Sequence, residues 1–121
     1  MVNKSGNIGR RGEHAAAAIF QKVWSKVNRS DVDKQHPTRD LAHTGDWHVQ
    51  VKARKTWNIK DVVKHMEKWM NKPENATSPW MIIYMDSDRR KKDNPSGVYA
   101  ILPAEQLARM MEAFRKVVDN E

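Results

Sequence analysis

The stretch Asp40-Leu41-Ala42-His43-Thr44-Gly45-Asp46-Trp47-His48-Val49-Gln50-Val51-Lys52-Ala53-Arg54 decides how the fold is read. Its second half alternates strictly, with Val49, Val51 and Ala53 on one face and His48, Gln50, Lys52 and Arg54 on the other. A period of two is the pattern of a half-buried strand. Gly45 between Thr44 and Asp46 marks a turn, so residues 40–42 and 47–54 are expected to form a β-hairpin. Burial then selects the register. With Thr44-Gly45-Asp46 as the loop, His43 pairs with Trp47 and Asp40 falls opposite Gln50. Leu41 then joins Val49 and Val51 on the core face. A loop shorter by one residue would place the Asp40 charge on the apolar face instead.

Upstream, residues 1–11 are Gly- and Asn-rich and carry Lys4, Arg10 and Arg11, which reads as a mobile basic arm. From Glu13 the pattern becomes helical, with Ile19, Phe20, Val23, Trp24 and Val27 at helical spacing. Glu13 is then expected in the first turn, where the helix dipole favours a carboxylate. Residues 28–39 are polar, with room for one short strand and a loop.

Downstream, residues 59–71 read as a helix with Val62, Val63, Met66, Trp69 and Met70 on its apolar stripe. Asn58 is its expected N-cap, and Pro73 its stop. Residues 79–85 form a nearly continuous apolar run, as for a strand buried on both faces. A charged loop (86–97) and another strand (98–102) follow. A last helix is expected to run to about residue 118, with Leu107, Met110, Met111, Phe114 and Val117 facing inward. The expected class is α/β, a mixed central sheet flanked by helices in the order α-β-β-β-α-β-β-α, in one domain of residues 1–121.

Composition narrows the function. At 121 residues the chain suits a single core, to which five tryptophans add large apolar side chains. Lys plus Arg is 22 and Asp plus Glu is 15, so the net charge is 22 − 15 = +7. Such an excess favours an anionic partner, nucleic acid foremost. The absence of cysteine excludes disulfides and thiolate metal sites, and suits a cytoplasmic, reducing setting. No apolar run approaches the roughly 18 residues needed to cross a bilayer, so no membrane association is expected.

Phosphodiester hydrolysis at neutral pH calls for a hard divalent cation on oxygen ligands, with a cationic side chain nearby. Gln50 and Lys52 are two apart on one strand and share a face, and the hairpin brings Asp40 to them. Asp46 is four residues from Gln50 along the chain, roughly 13 Å at strand rise, and too far to share a cation. His36, His43 and His48 lack a recognised zinc spacing, so a histidine bordering a phosphate is favoured over a zinc site. Arg10, Arg11, Arg54 and Lys55 are the expected DNA contacts. Arg89, Arg90, Lys91 and Lys92 are interleaved with acids and have a weaker field.

Asp40 followed ten residues later by Gln50-Val51-Lys52 resembles the core motif of the PD-(D/E)xK nucleases. Glu13 in Gly9-Arg10-Arg11-Gly12-Glu13 resembles the first-helix glutamate of the Holliday-junction resolvase branch, which includes small phage-encoded enzymes. The resemblance runs from about Gly6 to Leu102. It implies a restriction-endonuclease-like core and a Mg²⁺ site (Mn²⁺ as substitute) from Asp40, Gln50 and Glu13, with Lys52 assisting the attacking water. It also implies a homodimer that acts on branched DNA such as a four-way junction. Arg39 precedes the acid where the family usually has Thr or Pro, and Gln50 stands in place of Glu. A glutamine carbonyl can ligate Mg²⁺ but brings no charge. The alternatives are a nuclease of the same fold for nicking or single-strand cutting, and a non-catalytic DNA-binding module.

Overall fold

The computed structural model describes residues 4–29, 39–53, 57–75, 77–85 and 97–119, with the backbone alone for 4–9. Its elements are helix α1 (Lys4–Phe20), strands β1 (Asn28–Arg29), β2 (Leu41–Ala42) and β3 (His48–Lys52), and helix α2 (Ile59–Met70). A 3-10 turn (Pro73–Asn75), strands β4 (Trp80–Met85) and β5 (Val98–Ile101), and helix α3 (Ala104–Asp119) follow. This is the expected element order. β1 and β2 pair antiparallel, and β3-β4-β5 form a separate mixed sheet, parallel between β3 and β4 and antiparallel between β4 and β5. A parallel pair needs a crossover, which α2 provides. Among the described residues no sheet closes into a barrel, and no helix is long and apolar enough to cross a membrane.

One face of the mixed sheet carries Val49, Val51, Met81 and Ile83, which pack with Ala16, Ala17, Val27 and Leu41 into the main core. Gly12 lets α1 approach this closely. A Cβ on Gly12 would stand 2.7 Å from the Ala53 Cβ and 3.3 Å from the Val51 Cγ1. The opposite face carries Gln50 beside Ile82, and Lys52 beside Tyr84. Trp57, just ahead of α2, packs its ring 5.5 Å from that of Tyr84, so α2 starts over this second face. Met66, Met70 and Ile82 are buried outside the main cluster. Asn58 caps α2 as expected, its Oδ1 accepting the Asp61 N–H at 3.2 Å.

Several local expectations are corrected. α1 starts at Lys4, so residues 4–11 form its first turns and Glu13 lies well inside it, away from the dipole's positive end. The helix ends at Phe20, where the Val23 and Trp24 N–H groups both donate to the Phe20 carbonyl and turn the chain. Val23 is therefore exposed, while Trp24 packs from the turn between Phe20 and Trp47. β2 takes β1 as its ladder partner instead of β3; Leu41 still packs on Val49 and Val51, and just ahead of β2 the Asp40 carboxylate accepts the Val51 N–H. β3 is not half-buried: His48 and Gln50 are as enclosed as Val49.

The largest correction is α3. Leu107, Met110, Met111, Phe114 and Val117 are exposed, Phe114 by 71%. The buried residue of this helix is Gln106, whose Oε1 accepts the Trp80 N–H at 3.1 Å while its Nε2 donates to the Trp80 carbonyl at 3.2 Å. His36, Arg54, Lys55 and Arg89 to Lys92 lie outside the described residues.

Candidate active site

Asp40 is fixed by two hydrogen bonds that straddle Gln50. Its backbone N–H donates to the Val49 carbonyl at 2.8 Å, and its Oδ2 accepts the Val51 N–H at 2.7 Å. The chain turns back to this point through a tight loop. The Trp47 N–H donates to the Thr44 carbonyl at 3.1 Å, the Thr44 hydroxyl donates to the Trp47 carbonyl at 2.9 Å, and His43 and Gly45 adopt left-handed φ of 62° and 61°. Asp40 is thus tied to the β3 backbone on either side of Gln50, but the expected hairpin ladder is not formed: β2 pairs with β1, and Trp47 turns back onto Thr44 rather than pairing with His43.

The electrostatics show what surrounds this carboxyl. Its pKa is pushed up from 3.8 to about 6, first by burial and then by the negative charge of Glu13; the Val51 N–H and the charges of Lys52 and His65 pull the other way. Glu13 from α1, Lys52 from β3 and His65 from α2 therefore all lie within the field of Asp40. Glu13 is itself held by Arg29 of β1, whose Nε donates to its Oε2 at 2.8 Å.

Gln50 completes the arrangement. Its side chain is 8% exposed, and its Oε1 is buried with no hydrogen-bond partner among the described residues. A buried carbonyl left unpaired costs about 1–3 kcal/mol, so such an atom calls for an explanation. Hard cations are bound by oxygen: carboxylates, and amide carbonyls such as this one. The orphaned Gln50 carbonyl and the Asp40 carboxyl, with Glu13 in the field of the latter, are oxygen donors of the chemical kind a hard divalent cation takes. A cation there would also relieve the repulsion between Glu13 and Asp40. Among the described residues no group of three or more His, Cys, Asp or Glu side chains converges on a metal position, so a centre here depends on the Gln50 carbonyl.

The remaining candidates fall on both sides. Arg10 and Arg11 are exposed on α1 immediately before Gly12 and Glu13. Lys52 is partly buried on the Gln50 face, whereas Asp46 is exposed in the turn. His48 is 3% exposed and engaged within the fold, so it borders no solvent-facing phosphate position; His43 is exposed in the loop. Sequence reasoning missed Arg29 and His65. Arg29 lies in a two-residue strand without a periodic signal. The signal for His65 is topological, because a crossover helix after β3 must return over one face of that strand. No protein family, curated protein or solved structure matches the chain.

Proposed function

We propose that the chain is a metal-dependent, structure-selective DNA endonuclease of the PD-(D/E)xK kind, hydrolysing phosphodiester bonds in branched DNA such as a Holliday junction. The observation that carries this reading is the buried, unpaired Gln50 Oε1 beside Asp40, with Glu13 and Lys52 in the same field. Asp40, Gln50 and Glu13 would hold the cation. Such an ion supplies activation of water and neutralisation of charge on the phosphate. Lys52 orients the attacking water and stabilises the charge that develops on the phosphoryl oxygens. Arg29 holds the Glu13 carboxylate in place. Arg10 and Arg11 neutralise backbone phosphates, which favours recognition of DNA shape over base sequence.

A homodimer would present two such sites to opposed strands. The exposed apolar stripe of α3 is the surface a second copy would cover, and its charges suit an antiparallel partner. Centred between Met110 and Met111, that arrangement sets Glu105 against Lys116 and Arg109 against Glu112.

One observation favours a second reading, a DNA-binding module without catalysis: Gln50 brings no charge and Glu13 is already paired with Arg29. Labelled four-way junction and linear duplex, incubated with Mg²⁺, Mn²⁺ or EDTA, separate the readings. The nuclease cuts the junction in metal alone, and the cuts disappear in Asp40→Ala and Lys52→Ala. Retarded junction without cuts in any metal would establish the binding module, and cutting of duplex or single strand instead would reassign the substrate.

A further inference from the structure

The face that carries Gln50 and Lys52 continues across the sheet as a row of aromatic rings. Lys52 is in register with Tyr84, and Tyr84 with Tyr99. Partners in register on neighbouring strands point to the same face, so the three side chains form one line, with neighbours about 5 Å apart at strand spacing. The Tyr84 and Tyr99 rings lie 6.4 Å apart at 25°, close to parallel, and Trp57 adds a third ring 5.5 Å from Tyr84. None of the three belongs to the main core cluster. Tyr99 is 38% exposed on the edge strand, and Trp57 and Tyr84 are half-buried. From Trp57 an open groove leads along Asn58, Ile59 and Lys60.

The cluster has Tyr99 exposed at its edge, begins at the lysine of the candidate site and has a second cation, Lys60, in the adjoining groove. Stacking rings with cations spaced alongside them are the parts a protein uses to hold an unpaired nucleic-acid strand, base on ring and phosphate on cation. A continuous duplex offers no free base faces except at ends and breaks, so a stacking surface of this kind favours unpaired over paired DNA.

Resting on the nuclease reading of the neighbouring site, we propose that Trp57, Tyr84 and Tyr99 form a stacking platform for unpaired bases next to the scissile phosphate. The preferred substrate class is then DNA with unstacked or single-stranded nucleotides beside the cut: a flap, a gap or the opened centre of a junction. Lys52 and Lys60 contact the phosphates on either side of the platform. Duplex arms are held elsewhere, by charge alone.

The test is binding of fluorescein-labelled oligothymidine, and of a blunt-ended linear duplex with the same number of phosphates, to the full chain in EDTA. Without divalent metal no cutting is required, so failure of the nuclease reading leaves this measurement intact, and failure of the platform leaves cleavage intact. Tyr99→Ala should weaken oligothymidine binding about five- to a hundredfold, the range of one base-on-ring contact, and leave duplex binding within about twofold. Tyr99→Phe keeps the ring and should bind like the wild type. Equal losses for both DNAs, or unchanged oligothymidine binding by Tyr99→Ala, overturn the proposal. Should Tyr99→Ala fail to fold, quenching of intrinsic tryptophan fluorescence by oligothymidine decides: Trp57→Phe should remove most of it, and full quenching in that variant overturns the platform.

Discussion

In β3, Val49 and Val51 alternate with His48, Gln50 and Lys52, and the fold covers both faces, polar side included. In α3, Leu107, Met110, Met111, Phe114 and Val117 recur at helical spacing, and the described chain covers none of them. The two patterns are equally clean in sequence. Periodicity reports which residues share a face; what lies over that face is decided by tertiary placement. α1, brought close by Gly12, covers the apolar face of β3, while α2 starts over the other face and the Asp40 segment runs alongside, so the polar side is enclosed as well. α3 follows the edge strand and is tied to the sheet by the Gln106 fork on Trp80. Where a fold buries polar groups against the pattern, as at Gln50 and Asp40, local rules have yielded to tertiary placement.

This contrast can be broken or sharpened by experiment, first at the chemistry. Asp40→Asn should reduce metal-dependent junction cleavage on the order of a thousandfold. In an electrophoretic cleavage assay, retention of wild-type cutting would show that the enclosed face of β3 has no catalytic part. Next in size is the difference in packing. Ile82→Ala, at a fully buried position, should cost about 2–5 kcal/mol in urea unfolding. Phe114→Ala at low protein concentration should cost no more than about 0.5 kcal/mol. In sedimentation, Phe114→Asp should shift a dimer to monomer without lowering the monomer's stability. A large loss of stability for Phe114→Ala at every concentration would mean that the same chain covers the α3 stripe.

Titration gives the third test. The folded pKa of Asp40 is raised from 3.8 to about 6, so the folded state holds its proton more tightly than the unfolded state does. The stability contributed by that proton is fully present below about pH 4 and is lost as pH rises through about 6, on the order of 2–3 kcal/mol in metal-free buffer after allowing for partial exposure. Asp40→Asn has no such group, so its stability relative to wild type should rise between pH 4 and pH 7. Stabilisation of wild type by Mg²⁺ should grow over the same interval, because the cation binds the ionised carboxyl. Thermal melts in EDTA and in Mg²⁺ across that range measure both effects, and parallel pH profiles for the two proteins would contradict the enclosed position of Asp40.

The last expected effect runs against intuition. Gln50→Met removes the unpaired carbonyl at similar volume and should stabilise the metal-free protein by about 1–3 kcal/mol while abolishing its response to Mg²⁺. Loss of stability in this variant would indicate that Gln50 Oε1 has a partner in solution.

Much of this was legible in the sequence. The element order, the cap at Asn58 and the buried run of β4 follow from periodicity and turn chemistry, whereas the expected hairpin of β2 with β3 gave way to pairing of β2 with β1. Glu13 and Lys52 were also named, although Glu13 is placed by Gly12 and Arg29 rather than by a helix terminus. What was not legible is non-local. Arg29 reaches Glu13 across sixteen residues, and His65 comes into range only once α2 crosses from β3 to β4. The end of α1 was missed because Trp24 and Val27 reach the core from a turn at spacings that imitate a continuing helix. The stripe of α3 was assigned inward because amphipathicity carries no record of what faces it.

The central claim is that Asp40, Gln50 and Glu13 form a cation centre, and calorimetric titration of Mn²⁺ into wild type, Asp40→Asn and Gln50→Met tests it most directly. Saturable binding by wild type that is lost in both variants, with their folds intact by circular dichroism, is the result predicted here. No saturable binding by wild type, or equal binding by all three proteins, would contradict it.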